Sequence, residues 1–412
     1  MLSHEPLMPE AAEDHVVLSS RIKTLLRLLW MAVALYAFLV ALESMGSAFR
    51  LLNSDIAQEI ISVMANPFVS LFIGLLSTAI LQSSSTITAM VVAIVASGTI
   101  SLENAVPIIM GANIGTTVTS TIVSMAHIIR EKEFRKAFAA ATIHDIFNIL
   151  TAVILFPLEY YFGLLSHLAT DITHLFNTSG GKNIDLAFDV LSVTVSPLAH
   201  WLGEAMVGYP LLLVFVSVLL LFFSLQQLSM VMKEVIIGKS RRRFDRYVFG
   251  SDFKALLWGT GLTAAIQSSS IITSLTVPLV GTGKVSLKRA FPFIMGANIG
   301  TTFTAVLAAL PRSEAALSIA FAHVLFNVLG VMIFFPFPFT REIPLRLAQR
   351  LSLANARTRS VSFIYLICVF FLIPFLLIYS VEEPSVGNAQ RKEKKQTVLP
   401  QDANPTATAD AH

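Results

Sequence analysis

The chain repeats itself at an offset of 185 residues, and the repeat carries polar motifs into segments that are otherwise apolar. Gln82-Ser83-Ser84-Ser85 falls on Gln267-Ser268-Ser269-Ser270, and PIIMGANIGTT at 107–117 falls on PFIMGANIGTT at 292–302, with ten of eleven residues identical. Gly74 aligns with Gly259, Thr78 with Thr263, and Ser44-Met45 with Ser229-Met230. At an offset of 179, His144 and Asn148 fall on His323 and Asn327, while Asp145 falls on Val324. A fixed internal period means one structural unit used twice.

The surroundings of these motifs place both units in a bilayer. Hydrophobic residues make up 55% of the 412 positions and charged residues 13%, where a soluble domain carries about 25% charged residues. Runs near the roughly 20 residues that a membrane crossing needs lie at 25–45, 104–128, 137–157, 210–237, 290–310, 315–337 and 361–380. The QSSS regions do not fit that length. Only 15 largely apolar residues precede Gln82 and 13 follow Ser85; the counts around the second motif are 12 and 13. Each half is too short to cross at about 1.5 Å per residue. The predicted arrangement is therefore a re-entrant helical hairpin in each repeat, 67–98 and 255–283, with the serines at its tip. Irregular backbone at membrane depth is tolerated only inside protein or beside a polar cavity.

Loop charges set orientation, because Lys and Arg favour the cytoplasmic side. Arg21, Lys23 and Arg27, then loops 129–136, 238–254 and 338–360, are basic; 46–66, 158–208 and 311–314 hold one basic residue each. The expected organisation is a cytoplasmic tail (1–20), repeat 1 (21–157), an outer segment of interfacial helices and a loop NTSGGKN (158–208), and repeat 2 (209–337). A cytoplasmic loop (338–360), a last crossing (361–380) and a disordered polar tail (381–412) follow. The N-terminus is expected inside and the C-terminus outside; the RKEKK run of the tail opposes this, but it starts about ten residues past the last crossing, where the charge bias weakens. Three crossings per repeat, an odd number, make the second repeat inverted. The fold class expected is thus an all-α polytopic membrane protein of two inverted repeats, each a helix, a re-entrant hairpin and two helices, with one added C-terminal span. Inverted repeats whose broken helices meet at the midplane belong to secondary transporters.

Other features bound the function. One cysteine, Cys368, excludes an intrachain disulfide framework. The acidic start, with Glu5, Glu10, Glu13 and Asp14, predicts no cleaved signal peptide. A net charge of +3, with the basic residues in loops, argues against nucleic acid. Asn177-Thr178-Ser179 matches a glycosylation acceptor, a pattern common by chance. Asp145 reads either as a functional carboxylate or as a capping or interhelical partner. The His144/Asn148 and His323/Asn327 pairs, at i and i+4 on one face, read first as interhelical hydrogen bonds.

At the hairpin tips, hydroxyls and amides both donate and accept. The helix that begins after each turn offers free N–H groups to an anion, and the helix that ends there offers carbonyls suited to Na⁺. GANIGTT adds Asn113, Thr116, Thr117, Asn298, Thr301 and Thr302, with glycines that allow close approach or unwinding. No Lys or Arg occurs in 67–126, 137–181, 255–283 or 290–311. An anion there needs cations brought with it, since an unpaired buried charge costs several kcal/mol or more. A single QSSS is as well explained by small-residue helix packing. Two copies, each in a segment too short to span and each followed by GANIGTT, point to a site.

With QSSS and GANIGTT doubled, and EFRKAFAAATIHDIFN at 133–148, the chain resembles the type II sodium-dependent phosphate cotransporters over roughly residues 30–380, and looks like a bacterial, inner-membrane member. The resemblance implies symport of inorganic phosphate with sodium ions as co-substrate, no other cofactor, and no enzymatic chemistry. It assigns phosphate contacts to Ser83, Ser84, Ser268, Ser269 and backbone amides, with Gln267 and Asn113 beside them. It assigns sodium to Gln82, Ser85, Thr86, Thr117, Gln267, Ser270, Asn298 and Thr302. From the residues alone, another oxyanion such as sulfate or a carboxylate, or a phosphate sensor that does not translocate, stays open.

Overall fold

The computed structural model describes residues 10–52, 54–237, 248–310, 313–357 and 360–380. The expected disordered tail, 381–412, and the arginine cluster at 241–246 lie outside the described residues. Among the described residues the secondary structure is helical throughout. Repeat 1 contains α1 (Glu10–Leu51), α2 (Ser54–Met64), α3 (Pro67–Leu81), α4 (Ser84–Ala96), α5 (Leu102–Gly115), α6 (Val118–Met125) and α7 (Glu131–Phe162). A linking helix α8 (Leu164–Ala205) leads to repeat 2: α9 (Pro210–Ile237), α10 (Asp252–Ile266), α11 (Ser269–Gly281), α12 (Leu287–Ala309) and α13 (Glu314–Phe334). Then follow α14 (Pro338–Arg357) and α15 (Ser360–Ser380), which has a π-helical turn at Cys368–Leu372.

Seven of these helical stretches are long and apolar enough to cross a membrane, or eight if α2 and α3, bent by 99° at their junction, count as one. The protein is an all-α polytopic membrane protein. The spans sort by environment: α5–α6 and α12 are 83% and 78% buried, α1, α9 and α15 only 28%, 33% and 17%. The first group forms the interior and the second presents Leu25, Leu29, Trp30, Leu211, Phe215, Phe363 and Phe375 outward, as lipid requires. α1 and α9 run antiparallel, tied by Trp30 Nε1 donating to Gln227 Oε1 at 3.2 Å and by Arg27 with Glu234 at 3.5 Å.

Inside, glycine brings the first arm of each hairpin against the following helix. A Cβ at Gly111 would sit 1.8 Å from the carbonyl oxygen of Leu71, and one at Gly296 would sit 2.0 Å from that of Leu256. Gly74 and Gly259 meet the carbonyls of Ile108 and Phe293 in the same way. The motif glycines are thus backbone-contact positions between α3 and α5 and between α10 and α12.

Four stretches differ from the sequence expectation. The segment NTSGGKN, expected as a loop, is helical backbone within α8, and Pro197 is accommodated inside that helix. Glu159 starts α8: its carboxylate accepts from the Leu165 N–H at 2.6 Å, the Ser166 N–H at 3.2 Å and the Ser166 hydroxyl, next to Gly163 at φ 57°. Residues 338–357, expected as loop, form α14. Arg341 holds it by pairing with Asp252 at 2.7 Å and donating to the Lys288 carbonyl. The expected tail at 1–20 is already helical from Glu10. The single span expected at 104–128 is interrupted at Thr116–Thr117.

Candidate functional site

Each hairpin tip is built by one left-handed residue and one serine cap. Gln82 (φ 52°) and Gln267 (φ 62°) are the two non-glycine residues with positive φ among the described residues. Each ends its first arm, donating its N–H to the carbonyl of Thr78 or Thr263 at 2.7 Å. A non-glycine residue in this region is uncommon, so the same strain at both repeat-related positions marks a turn set by its surroundings. The next residue caps the second arm. Ser83 Oγ accepts from the Thr86 N–H at 3.3 Å, and Ser268 Oγ from the Ile271 N–H at 3.4 Å. The N–H groups of Ser84 and Ser85, and of Ser269 and Ser270, are first-turn donors with no intrahelical acceptor.

The two tips meet. Ser85 Oγ donates to the Gln267 carbonyl at 3.2 Å across the repeats. A cavity of about 500 Å³ is lined by all of Gln82 to Ser85 and Gln267 to Ser270, by Thr119, and on one wall by Phe222, Gln226, Ser229 and Met230 of α9. Among the described residues, no ionisable side chain lines it. Hydroxyls, carboxamides and the starts of two helices face one space, which is chemistry for an oxyanion accompanied by hard cations. Among the described residues no cluster of His, Cys, Asp and Glu is arranged to hold a metal by side-chain charge.

Eight of the thirteen residues proposed from sequence therefore share one cavity. The remaining five lie off its wall. Thr86 is fully buried with its hydroxyl 2.7 Å from that of Ser83. Thr117 and Thr302 donate to carbonyls of their own helical turns, Ile114 and Ile299. Asn113 and Asn298 are engaged elsewhere, and their partners explain the duplicated His-x-x-x-Asn pairs. His144 donates through Nε2 to Asn298 Oδ1, and Asn298 Nδ2 donates to Asn148 Oδ1 at 2.6 Å. Reciprocally, His323 Nε2 and Asn327 Nδ2 both donate to Asn113 Oδ1 at 3.3 Å. Asn148 Nδ2 joins the two sets by donating to the Asn113 carbonyl at 2.8 Å. Residue i of one repeat holds j of the other and the converse, which is the signature of a two-fold relation. The asparagine of each GANIGTT is thus a clasp between repeats. Asn298→Ala should leave His144 and Asn148 with buried unmet groups at about 1–3 kcal/mol each. Thermal unfolding of purified protein should show a lowered midpoint, whereas Ser84→Ala and Ser269→Ala should leave it in place.

Several residues that fix the site lie outside the candidates expected from sequence. Thr304 donates to Gln267 Oε1 at 2.7 Å and fixes the second tip. Ser120 bridges to Thr273 at 2.9 Å. The Tyr365 hydroxyl donates to Asp145 Oδ2 at 3.0 Å, from a helix outside the repeat; Asp145 is fully buried. Thr304 has a repeat mate in Thr119, which was a findable clue; Tyr365 has none.

Comparison with known proteins follows the same pattern. The sequence model of a family described as Na+/Pi-cotransporter matches residues 37–165 and 220–341, the two repeats in order. Curated relatives include sodium-dependent phosphate transport protein 2A of Ovis aries, 31% identical over 86% of this chain and 67% of that protein. The 2A protein of Mus musculus is 32% identical over the same shares, and the 2B protein of Homo sapiens is 32% identical over 84% of this chain and 64% of that protein. The chain spans about two thirds of the length of these relatives. No solved structure matches it.

Proposed function

Because the chain belongs to the Na+/Pi-cotransporter family, we propose that it carries inorganic phosphate with sodium ions across the membrane by alternating access. The observation that carries this reading is the convergence of both QSSS tips on one cavity without a cationic side chain. Phosphate is held by the hydroxyls of Ser83, Ser84, Ser268 and Ser269 and by the free N–H groups that start α4 and α11. Sodium ions sit beside it, on Gln82, Ser85, Gln267, Ser270 and the carbonyls that end α3 and α10. They supply the positive charge that the cavity wall lacks, so either ion alone meets a poorly compensated site, and coupling follows from that mutual need. Members of the His-Asn clasp keep the two repeats in register without touching the ions. In this reading the N-terminus lies on the cytoplasmic side and the C-terminus outside, which the distribution of Lys and Arg along the sequence supports.

The test is uptake of labelled phosphate by the purified protein in liposomes. Uptake should follow an imposed sodium gradient, stop when choline replaces sodium, and persist with excess sulfate. Flux that is indifferent to sodium removes the coupling, and competition by sulfate equal to that of phosphate transfers the assignment to oxyanions at large.

A further inference from the structure

The two repeats share their motifs but not their conformation, and several of the differences lie at the cavity. In the second repeat the Gln267 carboxamide is buried and latched, Oε1 receiving the Thr304 hydroxyl at 2.7 Å and Nε2 donating to the Ala264 carbonyl. In the first repeat Gln82 is exposed in the cavity. The residue at the position of Thr304 is Thr119, which also lines the cavity, and its Oγ1 is buried without a partner. Likewise Met230 lines the cavity at 42% exposure, while its repeat mate Met45 is fully buried. The identical GANIGTT sequence is interrupted at Thr116–Thr117 in one copy and continuous through Thr301–Thr302 in the other. Equal local sequence with unequal local structure means that the conformation, and not residue propensity, sets the difference.

We propose that Thr119 and Thr304 are alternative latches for the two tip glutamines, one engaged in each of two states of the transporter. In the present state Thr304 holds Gln267 and the wall at Met230 is open. In the other state the roles exchange: Thr119 receives Gln82, Gln267 is released, and the wall opens at Met45 on α1. Thr119 and Thr304 are then positioning residues, acting through the glutamines. The inference rests on the alternating-access reading, but it concerns the equilibrium between states and needs no substrate.

The experiment uses the full chain in lipid nanodiscs without phosphate, on a Cys368→Ser background, with Met45→Cys or Met230→Cys as reporter of access to a polar thiol reagent. With both threonines present, M230C should react and M45C should be protected. Thr304→Val should raise M45C reactivity and lower that of M230C, by about three- to tenfold in the ratio, the worth of one hydrogen bond. Thr119→Val should shift the ratio the opposite way, and Thr304→Ser, which keeps the hydroxyl, should restore it. Shifts in the same direction for both valine variants, or no shift in either, overturn the latch. Opposed shifts without sodium-dependent phosphate uptake would instead overturn the transport assignment and leave the latch standing.

Discussion

Gly296→Ala and Gly111→Ala are expected to yield no folded protein. A methyl at either position lies about 2 Å from a backbone carbonyl oxygen, well inside contact distance, and a backbone atom within a helix cannot turn aside. The helices must separate, which opens the glycine-mediated backbone contacts between them and displaces the hairpin tip that α3 or α10 carries. Such overpacking belongs with the exceptional changes, about 4 kcal/mol or more. Gly261→Ala is the matched control on α10: nothing lies within 4 Å of its Cβ, and alanine should be neutral or stabilise by about 0.5–1 kcal/mol. Size-exclusion profiles and thermal unfolding in detergent distinguish these outcomes. A monodisperse G296A protein with an unchanged midpoint would show that the helices are further apart than described.

The second large effect is functional. Ser84→Ala and Ser269→Ala each remove a hydroxyl placed at a helix start in the shared cavity. A hydrogen bond to a charged group contributes about 1.5–3 kcal/mol, so each variant should weaken apparent phosphate affinity by about 10- to 100-fold, and the double variant should abolish uptake at ordinary concentrations. Folding should be unaffected, because neither hydroxyl provides a cap; Ser83 and Ser268 do that. The measurement is the phosphate concentration dependence of sodium-driven uptake in liposomes, with thermal unfolding in parallel. Unchanged kinetics in both single variants would remove the serines from the site.

Each kind of motif residue has its own task. The glycines of GANIGTT bring helices together, its asparagines tie the repeats to each other, and the serines of QSSS face the cavity. Sequence treats all of them as one polar, small-residue signature, because each departs from the apolar background in the same way. That is why Asn113 and Asn298 read as ion ligands: their partners, His323, Asn327, His144 and Asn148, lie up to 214 residues away in sequence, and no local pattern pairs them.

Length, apolar runs and the 185-residue period were enough to determine a polytopic helical protein of two like halves, because a bilayer admits only whole spans or protected re-entrant turns. The hairpin tips were legible because arms of 12 to 15 apolar residues on either side of QSSS are too short to cross a bilayer. What only the tertiary structure decided is how identical motifs diverge. Gln82 is free and Gln267 latched, GANIGTT is broken in one copy and continuous in the other, and Asp145 finds Tyr365 on a helix outside the repeat. A repeated sequence encodes both conformations equally, so the choice between them comes from contacts across the two halves and from the helices outside the repeats.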